Sequence, residues 1–161
     1  FPQRKGQTAC LREGFKRARG EVIITMDGDL QDDPGEIPAM LDVMKKSGAD
    51  VVCGWRKNRK DPAKTLSLSG VGNFLQKCFL RVPVHDISCT FRIYRKKVVK
   101  SIILGRDGLH RYIPFIVKRA GFGLAEKEVR HRPRKYGESK YSVRKAPETV
   151  RLFFGLISGK Y

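Results

Sequence analysis

Apolar and polar positions along the chain follow two periods, which together predict strands alternating with helices. Residues 21–26 are β-branched and nearly all apolar, a pattern typical of a central strand buried on both faces. Residues 34–47 instead repeat apolar side chains at helical spacing. That stripe consists of Ile37, Met40, Leu41 and Met44. Residues 50–54 again favour a short buried strand. The order strand, helix, strand predicts an α/β fold with a parallel sheet and a right-handed crossover.

The helix predicted over residues 34–47 also carries start signals. Asp33 can cap it, Pro34 occupies its first position, and Glu36 completes a capping box. The same patterns predict helices over residues 7–18, 67–80, 95–104, 108–120 and from Glu148 onwards, strands over 90–94 and 122–130, and a basic loop over 55–64.

Composition narrows the class of protein. The chain has 161 residues, 40% of them hydrophobic, which fits one globular domain. Lys and Arg number 34 against 16 acidic residues, and the resulting charge of +18 favours partners that are polyanions: nucleic acid, anionic lipid or phosphorylated small molecules. No uncharged apolar run reaches the ~18 residues that a transmembrane helix needs, which predicts a soluble or peripheral chain. The four cysteines form no Cys-x-x-Cys pair and are expected to be buried, reduced thiols.

An acidic turn follows the first predicted strand. Asp27 and Asp29 flank Gly28, so both carboxylates can turn toward one point while the backbone comes close to a ligand. Ligand sites of open α/β sheets lie beyond the carboxyl ends of strands. Hard oxygen ligands suit Mg²⁺ or Mn²⁺ bridging to a diphosphate. The alternative is a solvated acidic loop that leads into a well-capped helix.

A basic segment lies near the other end of the chain. Residues 130–145 hold seven Lys or Arg and one acid, Glu138, with Gly137 and Ser139 in the middle. Guanidinium forks, hydroxyls and a flexible glycine together suit phosphate binding. A solvated basic face or a nucleic-acid patch is the alternative that charge alone leaves open.

Three motifs resemble a known family. They are Asp27–Pro34 (DGDLQDDP), Asp86–Arg92 (DISCTFR) and Arg132–Tyr141 (RPRKYGESKY). In this order and rough spacing they are similar to those of polyprenyl-phosphate glycosyltransferases, such as dolichyl-phosphate mannose synthases and undecaprenyl-phosphate sugar transferases. These are family 2 glycosyltransferases of the GT-A fold. The resemblance runs over nearly the whole chain.

The resemblance implies a fold and its extent. We expect an α/β, Rossmann-like GT-A domain with a mostly parallel sheet and flanking helices over residues 1–146. An amphipathic or membrane-proximal helix is expected over 147–161. The family's first strand, which holds acidic groups for the nucleobase and ribose, would precede residue 1, so the resemblance implies that an amino-terminal part of the domain is missing here. The membrane helices common at the family's carboxyl end would lie beyond residue 161.

The resemblance also implies a reaction and its residues. A sugar would pass, with inversion, from a GDP- or UDP-linked donor to a polyprenyl phosphate, with Mg²⁺ or Mn²⁺ as cofactor. The protein would lie at the cytoplasmic face of an anionic membrane, with no specific nucleic acid as partner; its oligomeric state is left open. The implied site comprises donor contacts from Gly6, Gln7, Asp27 and Asp29, metal ligands Asp27, Asp29 and Gln31, the catalytic or acceptor-positioning Asp86, and phosphate contacts from Arg92, Arg132, Arg134, Ser139 and Lys140.

Two other functions are weighed against this interpretation. Processive polysaccharide synthases share the fold but carry a Gln-x-x-Arg-Trp motif, and the only tryptophan, Trp55, follows Cys53-Gly54 instead. A basic nucleic-acid-binding module would explain the charge. It would not require converging carboxylates beside a strand, and no helix-turn-helix, zinc or RNA-binding signature is present in the sequence.

Overall fold

The computed structural model describes residues 3, 5–57, 81–102, 104–132, 151–152, 154–155 and 158. Its helices are α1 (Gln7–Arg17), α2 (Ile37–Ser47), α3 (Lys96–Ser101) and α4 (Ile113–Arg119), with single 3₁₀ turns at Pro34–Glu36 and Leu109–Tyr112. Its strands are β1 (Val22–Thr25), β2 (Val51–Trp55), β3 (Arg92–Arg95) and β4 (Leu124–Glu128). Every predicted element within these ranges is present, although 95–104 and 108–120 contain shorter α-helices than expected.

The described strands form one mixed sheet in the order β1-β3-β2-β4. β3 is antiparallel to both of its neighbours, whereas β2 and β4 pair in parallel. β1, β2 and β4 therefore run in one direction and bring their carboxyl ends to the same edge of the sheet. The predicted α/β class with flanking helices is confirmed. The strand–helix–strand unit does not place β1 beside β2, because β3 lies between them.

β1 corrects one expectation. Its sequence predicts a central strand buried on both faces, yet β1 lies at the edge of the sheet that the described residues form. Val22 and Ile24 are 39% and 38% exposed. Apolar composition indicates that a strand is favoured in a buried position, but it does not show which neighbouring strands and helices cover it.

Two cores pack against opposite faces of the sheet. On one face Phe15 of α1 meets Tyr94 edge-on at 5.3 Å between ring centroids, within a cluster that includes residues of α3 and α4. On the other face Met40 and Met44 of α2 pack on Val52. β2 is buried on both faces, as predicted. The described helices therefore flank the sheet on both sides.

Other expectations can be compared with the described residues. Cys53 and Cys89 are buried, and burial raises the pKa of their thiols to about 11 and about 12. Cys10 is exposed, which corrects the expectation of burial for that residue, and Cys78 lies outside the described residues. Among described residues no helix is both long and apolar enough to cross a bilayer. The helix predicted over 67–80 also lies outside them.

Candidate active site

The acidic turn lies directly after β1, at the edge where the parallel strands end. It is folded on itself by two of its own carboxylates: Asp32 Oδ2 accepts a hydrogen bond from the Asp27 N–H at 3.0 Å, and Asp29 Oδ1 accepts one from the Gln31 N–H at 3.2 Å. Leu30 between them adopts a left-handed backbone with φ of 64°. This conformation is unfavourable for leucine and marks a tightly specified turn.

The remaining acids of the turn have structural roles. Asp33 caps the 3₁₀ turn through the Gly35 N–H at 3.1 Å, and that bond, aided by Arg132 and Arg130, holds the pKa of the Asp33 carboxyl below its usual value. Asp32 is buried, and burial raises the pKa of its carboxyl. The capping prediction for Asp33 is therefore confirmed.

Glu36 does not complete the predicted capping box. Its carboxylate accepts a hydrogen bond from Arg130 Nε at 2.6 Å, and the helix start has no reciprocal bond from it. The Glu36 carboxylate is thus directed at the guanidinium of Arg130 instead of at the backbone N–H that a capping box would use.

The first residues of the basic segment lie against the acidic turn. Gln31 O accepts from the Arg132 N–H at 2.9 Å, and Gln31 Nε2 donates to Arg132 O at 3.2 Å. Asp32 and His131 form an isolated antiparallel bridge beside them. Arg132 Nη2 also lies 2.9 Å from Asp33 Oδ2. Two motifs 101 residues apart in sequence thus meet at one edge of the sheet.

The other expected residues of this segment, Arg134, Ser139 and Lys140, lie outside the described residues. Gln31 is buried, with its amide nitrogen directed at Arg132. Its role as a metal ligand stays a prediction.

Asp86 forms the centre of a second cluster. The residue is 3% exposed, and Arg56 grips its carboxylate with two hydrogen bonds, Nε to Oδ2 at 2.7 Å and Nη2 to Oδ1 at 3.1 Å. Ser88 Oγ donates to Oδ1 at 3.0 Å. The Asp86 N–H donates to Glu126 Oε1 of β4 at 3.1 Å.

Sequence reasoning named Arg56 only as part of a basic loop, and it did not single out Glu126. The available signal was position, since Arg56 directly follows β2 at the edge where ligands bind.

Arg92 joins the loop that carries Asp86 (residues 81–91, the Asp86 loop) to the segment before α4. It is 1% exposed, and its guanidinium donates to Ile87 O at 2.7 Å and to His110 O at 3.3 Å. These bonds give Arg92 a structural role. Its predicted contact with a phosphate stays a prediction.

The start of α1 lies beside the same segment. The Thr8 hydroxyl accepts from the Gly108 N–H at 2.9 Å and bonds His110 Nδ1 at 2.7 Å. Gly6 has φ of 80°, and a Cβ there would lie 3.1 Å from Asp107 Oδ1. Gln7 Nε2 donates to Asp27 Oδ1 at 3.3 Å. Gln7 therefore contacts the acidic turn, whereas Gly6 lies against Asp107. Their roles as donor contacts stay predictions.

Thr8→Val should lower stability, because valine keeps the shape of threonine and removes both buried hydrogen bonds of the hydroxyl. The expected loss is about 2 kcal/mol, or roughly 4–8 °C in Tm. Ser101→Ala is the control: it removes a hydroxyl that bonds Lys97 O on an exposed helix face. Equal Tm values for the two variants in thermal unfolding would contradict the role assigned to Thr8.

Asp27 and Asp29 fit a metal that is shared with a ligand. Within the described part of the chain no three His, Cys, Asp or Glu side chains converge into a metal-binding group. Mg²⁺ and Mn²⁺ in phosphate sites need only one or two carboxylates, because substrate phosphates and water complete the shell. Both residues are half-buried oxygen donors at the ligand edge of the sheet, and so suit that arrangement.

Comparison with known proteins identifies the family. The model of glycosyl transferase family 2 matches residues 1–103. The chain is 38% identical over 156 residues to dodecaprenyl-phosphate galacturonate synthase of Rhizobium johnstonii. It is 35% identical over 153 residues to undecaprenyl-phosphate 4-deoxy-4-formamido-L-arabinose transferase of Pseudomonas paraeruginosa. Each alignment covers 95% of this chain but only 45% and 44% of the relatives, so the chain spans less than half of their length.

Solved structures share the fold. Glucosyl-3-phosphoglycerate synthase of Mycobacterium tuberculosis, crystallised with Mn²⁺ and UDP-glucose, superimposes with a TM-score of 0.70 at 12% identity. The match covers 99% of this chain and 56% of that one. The chain belongs to glycosyl transferase family 2 and has the mixed α/β architecture of the GT-A fold.

Proposed function

We propose that the protein transfers a sugar from a nucleotide sugar to a polyprenyl phosphate. The observation that carries this proposal is the pairing of Gln31 with Arg132, which brings the acidic turn and the basic segment together. One edge of the sheet then offers carboxylates for a metal–diphosphate and guanidinium groups for a second anion. The names of the two relatives support a polyprenyl phosphate as that anion.

Asp27 and Asp29 would hold Mg²⁺ or Mn²⁺ beside the donor diphosphate. When bound, the metal would neutralise the charge that develops on the departing nucleoside diphosphate. Gly6 and Gln7 would lie near the donor, and the bond from Gln7 to the Asp27 carboxylate supports this. Arg132 would contact phosphate oxygens, together with Arg92, Arg134, Ser139 and Lys140, and so offset the repulsion between anionic donor and anionic acceptor.

Asp86 orients the acceptor in this proposal. A phosphate monoester is mostly ionised near neutral pH, so the attacking oxygen needs little help in losing a proton. That oxygen would attack the anomeric carbon as the bond to the nucleoside diphosphate breaks, and the configuration would invert. The carboxylate of Asp86 is already engaged by Arg56 and Ser88, which suits a fixed orienting group better than a base that must change partners.

The carboxyl-terminal part of the chain would lie at the cytoplasmic face of a membrane. We assign residues 1–146 to the catalytic domain and 147–161 to a helix at the interface. Leu152 is buried, and a Cβ on Gly108 would lie 2.6 Å from its Cδ1, whereas Phe154 is 63% exposed. A helix with one anchored and one exposed apolar side chain, in a chain of charge +18, suits an anionic lipid surface.

The test is transfer of labelled sugar to undecaprenyl phosphate in anionic vesicles, using the complete gene product and a panel of UDP- and GDP-linked sugars. We expect transfer with one donor in Mg²⁺ or Mn²⁺ and loss of transfer in EDTA. Undecaprenol, which lacks the phosphate, is the matched control. Binding to random DNA tests the alternative that the positive charge serves to bind nucleic acid. Equal transfer to undecaprenol, or no transfer from any donor, would contradict the proposal.

A further inference from the structure

We propose that Arg56 and Glu126 are positioning residues that together fix Asp86: the Arg56 side chain holds the Asp86 carboxylate, and the Glu126 side chain holds the backbone N–H of Asp86. Neither residue was assigned a role by the sequence motifs. The inference rests on the proposed sugar transfer, because it assigns the two residues a part in that reaction. It adds a mechanical requirement: the Asp86 loop must be held from two neighbouring strands for the acceptor to be aligned.

Arg56 holds the carboxylate of Asp86 from the end of β2. The side chains of Arg56 and Asp86 are 11% and 4% exposed, so the pair is almost fully removed from water. Its two hydrogen bonds, at 2.7 and 3.1 Å, form the bidentate fork that only a guanidinium provides. Arg56 Nη2 also lies 3.3 Å from Ser88 Oγ, so one side chain fixes both the carboxylate and its hydroxyl partner.

Glu126 holds the backbone of the same loop from β4. Its Oε1 accepts hydrogen bonds from the N–H groups of His85 at 2.7 Å and Asp86 at 3.1 Å. Its Oε2 lies 2.7 Å from His85 Nδ1, and the His85 ring stacks on Trp55 at 4.4 Å between centroids. The side chain of Glu126 is 11% exposed. One carboxylate therefore accepts the backbone N–H groups of both His85 and Asp86.

The two holding side chains come from adjacent strands. β2 and β4 pair in parallel, with Cys53 opposite Glu126 and Trp55 opposite Glu128. Glu126 projects from this hydrogen-bonded ladder, and Arg56 directly follows its last residue in β2, so the register of the ladder limits their separation. A displacement of about 1 Å in a catalytic group can cost about 100-fold in rate, so rigid support of this kind matters for turnover.

The experiment compares Arg56→Lys and Glu126→Gln with the parent in the complete gene product, measuring kcat and KM for donor and acceptor. Lysine keeps the charge and loses the fork, so we expect kcat to fall about 10- to 100-fold while donor KM stays within about twofold, since donor contacts are not altered. Glu126→Gln keeps one oxygen for the two backbone donors but loses the negative charge that strengthens both hydrogen bonds, so it should also lower kcat. Combining Arg56→Lys with Asp86→Asn should cost no more than the worse single change, because the pair acts as a unit.

Lys57→Gln and Glu128→Gln are the controls. Glu128→Gln removes from β4 the same charge as Glu126→Gln, and Lys57→Gln removes a positive charge directly beside Arg56. This surface pair is 54% and 47% exposed and 3.5 Å apart. Both controls should keep parental kinetics. If the parent transfers sugar and both Arg56→Lys and Glu126→Gln have the parental kcat, only the positioning proposal is overturned. A rise in donor KM as large as the fall in kcat would also overturn it. A parent that transfers no sugar overturns the proposed function and this inference together. Should one variant fail to fold, the other decides the outcome.

Discussion

Asp29→Asn is expected to remove Mn²⁺-dependent nucleotide binding while the fold is retained. Asparagine keeps the oxygen that accepts the Gln31 N–H, so the turn should keep its shape. It loses the negative charge that attracts a divalent cation. Loss of an outer partner in a metal site already costs about 10- to 100-fold in affinity, so loss of a direct ligand should cost about 100-fold or more in the Kd for nucleotide.

Titration calorimetry with UDP and GDP, in Mn²⁺ and in EDTA, measures this effect. Asp42→Asn is the matched control, since it removes the same charge from an exposed position on α2. The parent and Asp42→Asn should bind one nucleotide tightly only in Mn²⁺. An Asp29→Asn variant with an undiminished Mn²⁺ requirement would contradict the metal assignment and leave the acidic turn as a structural loop.

Local sequence patterns were sufficient for the elements of the fold. The stripe of Met40 and Met44 and the cap at Asp33 depend on residues a few positions apart, so the sequence carries them directly. The pairing of strands is a long-range property. Nothing local shows that β3 enters the sheet between β1 and β2, or that β1 lies at the edge of the described sheet.

The candidate site, too, could be predicted from the sequence only in part. The sequence singled out Asp29 as a candidate by its position after a strand, and Asp86 by the resemblance of its motif to a family. It did not reveal Arg56, which binds Asp86 from 30 positions away, or Glu126, which binds it from 40. Both partners are ordinary charged residues whose roles come from burial, and burial is set by the tertiary structure. Glu36 is the converse case. The local sequence predicts a capping box, but the Glu36 carboxylate binds Arg130, which is distant in sequence.

Arg92→Met should cause the largest loss of stability among these variants. Methionine fills the space of the aliphatic stem but leaves Ile87 O and His110 O without their donors in a buried setting. Hydrogen bonds from a charged group contribute about 1.5–3 kcal/mol each, so the expected loss is about 3 kcal/mol or more. For a chain of this size that corresponds to a Tm lower by roughly 6–12 °C. The Asp86 loop, which contains Ile87, should become more accessible to proteases as a result.

Thermal unfolding and acceptor kinetics together separate the two roles open to Arg92. Arg17→Met is the control, because Arg17 is an exposed arginine paired with Glu13 within one turn of α1. A purely structural Arg92 predicts that Arg92→Lys, which retains the charge but cannot reach both carbonyls, falls between parent and methionine variant in Tm. Its acceptor KM should then change little at temperatures well below Tm. The opposite outcome is an Arg92→Met variant with the Tm of the Arg17→Met control and an acceptor KM raised about tenfold or more. The guanidinium would then bind phosphate during turnover, because its contribution of about 1.4 kcal/mol to acceptor binding could not come from a change in stability.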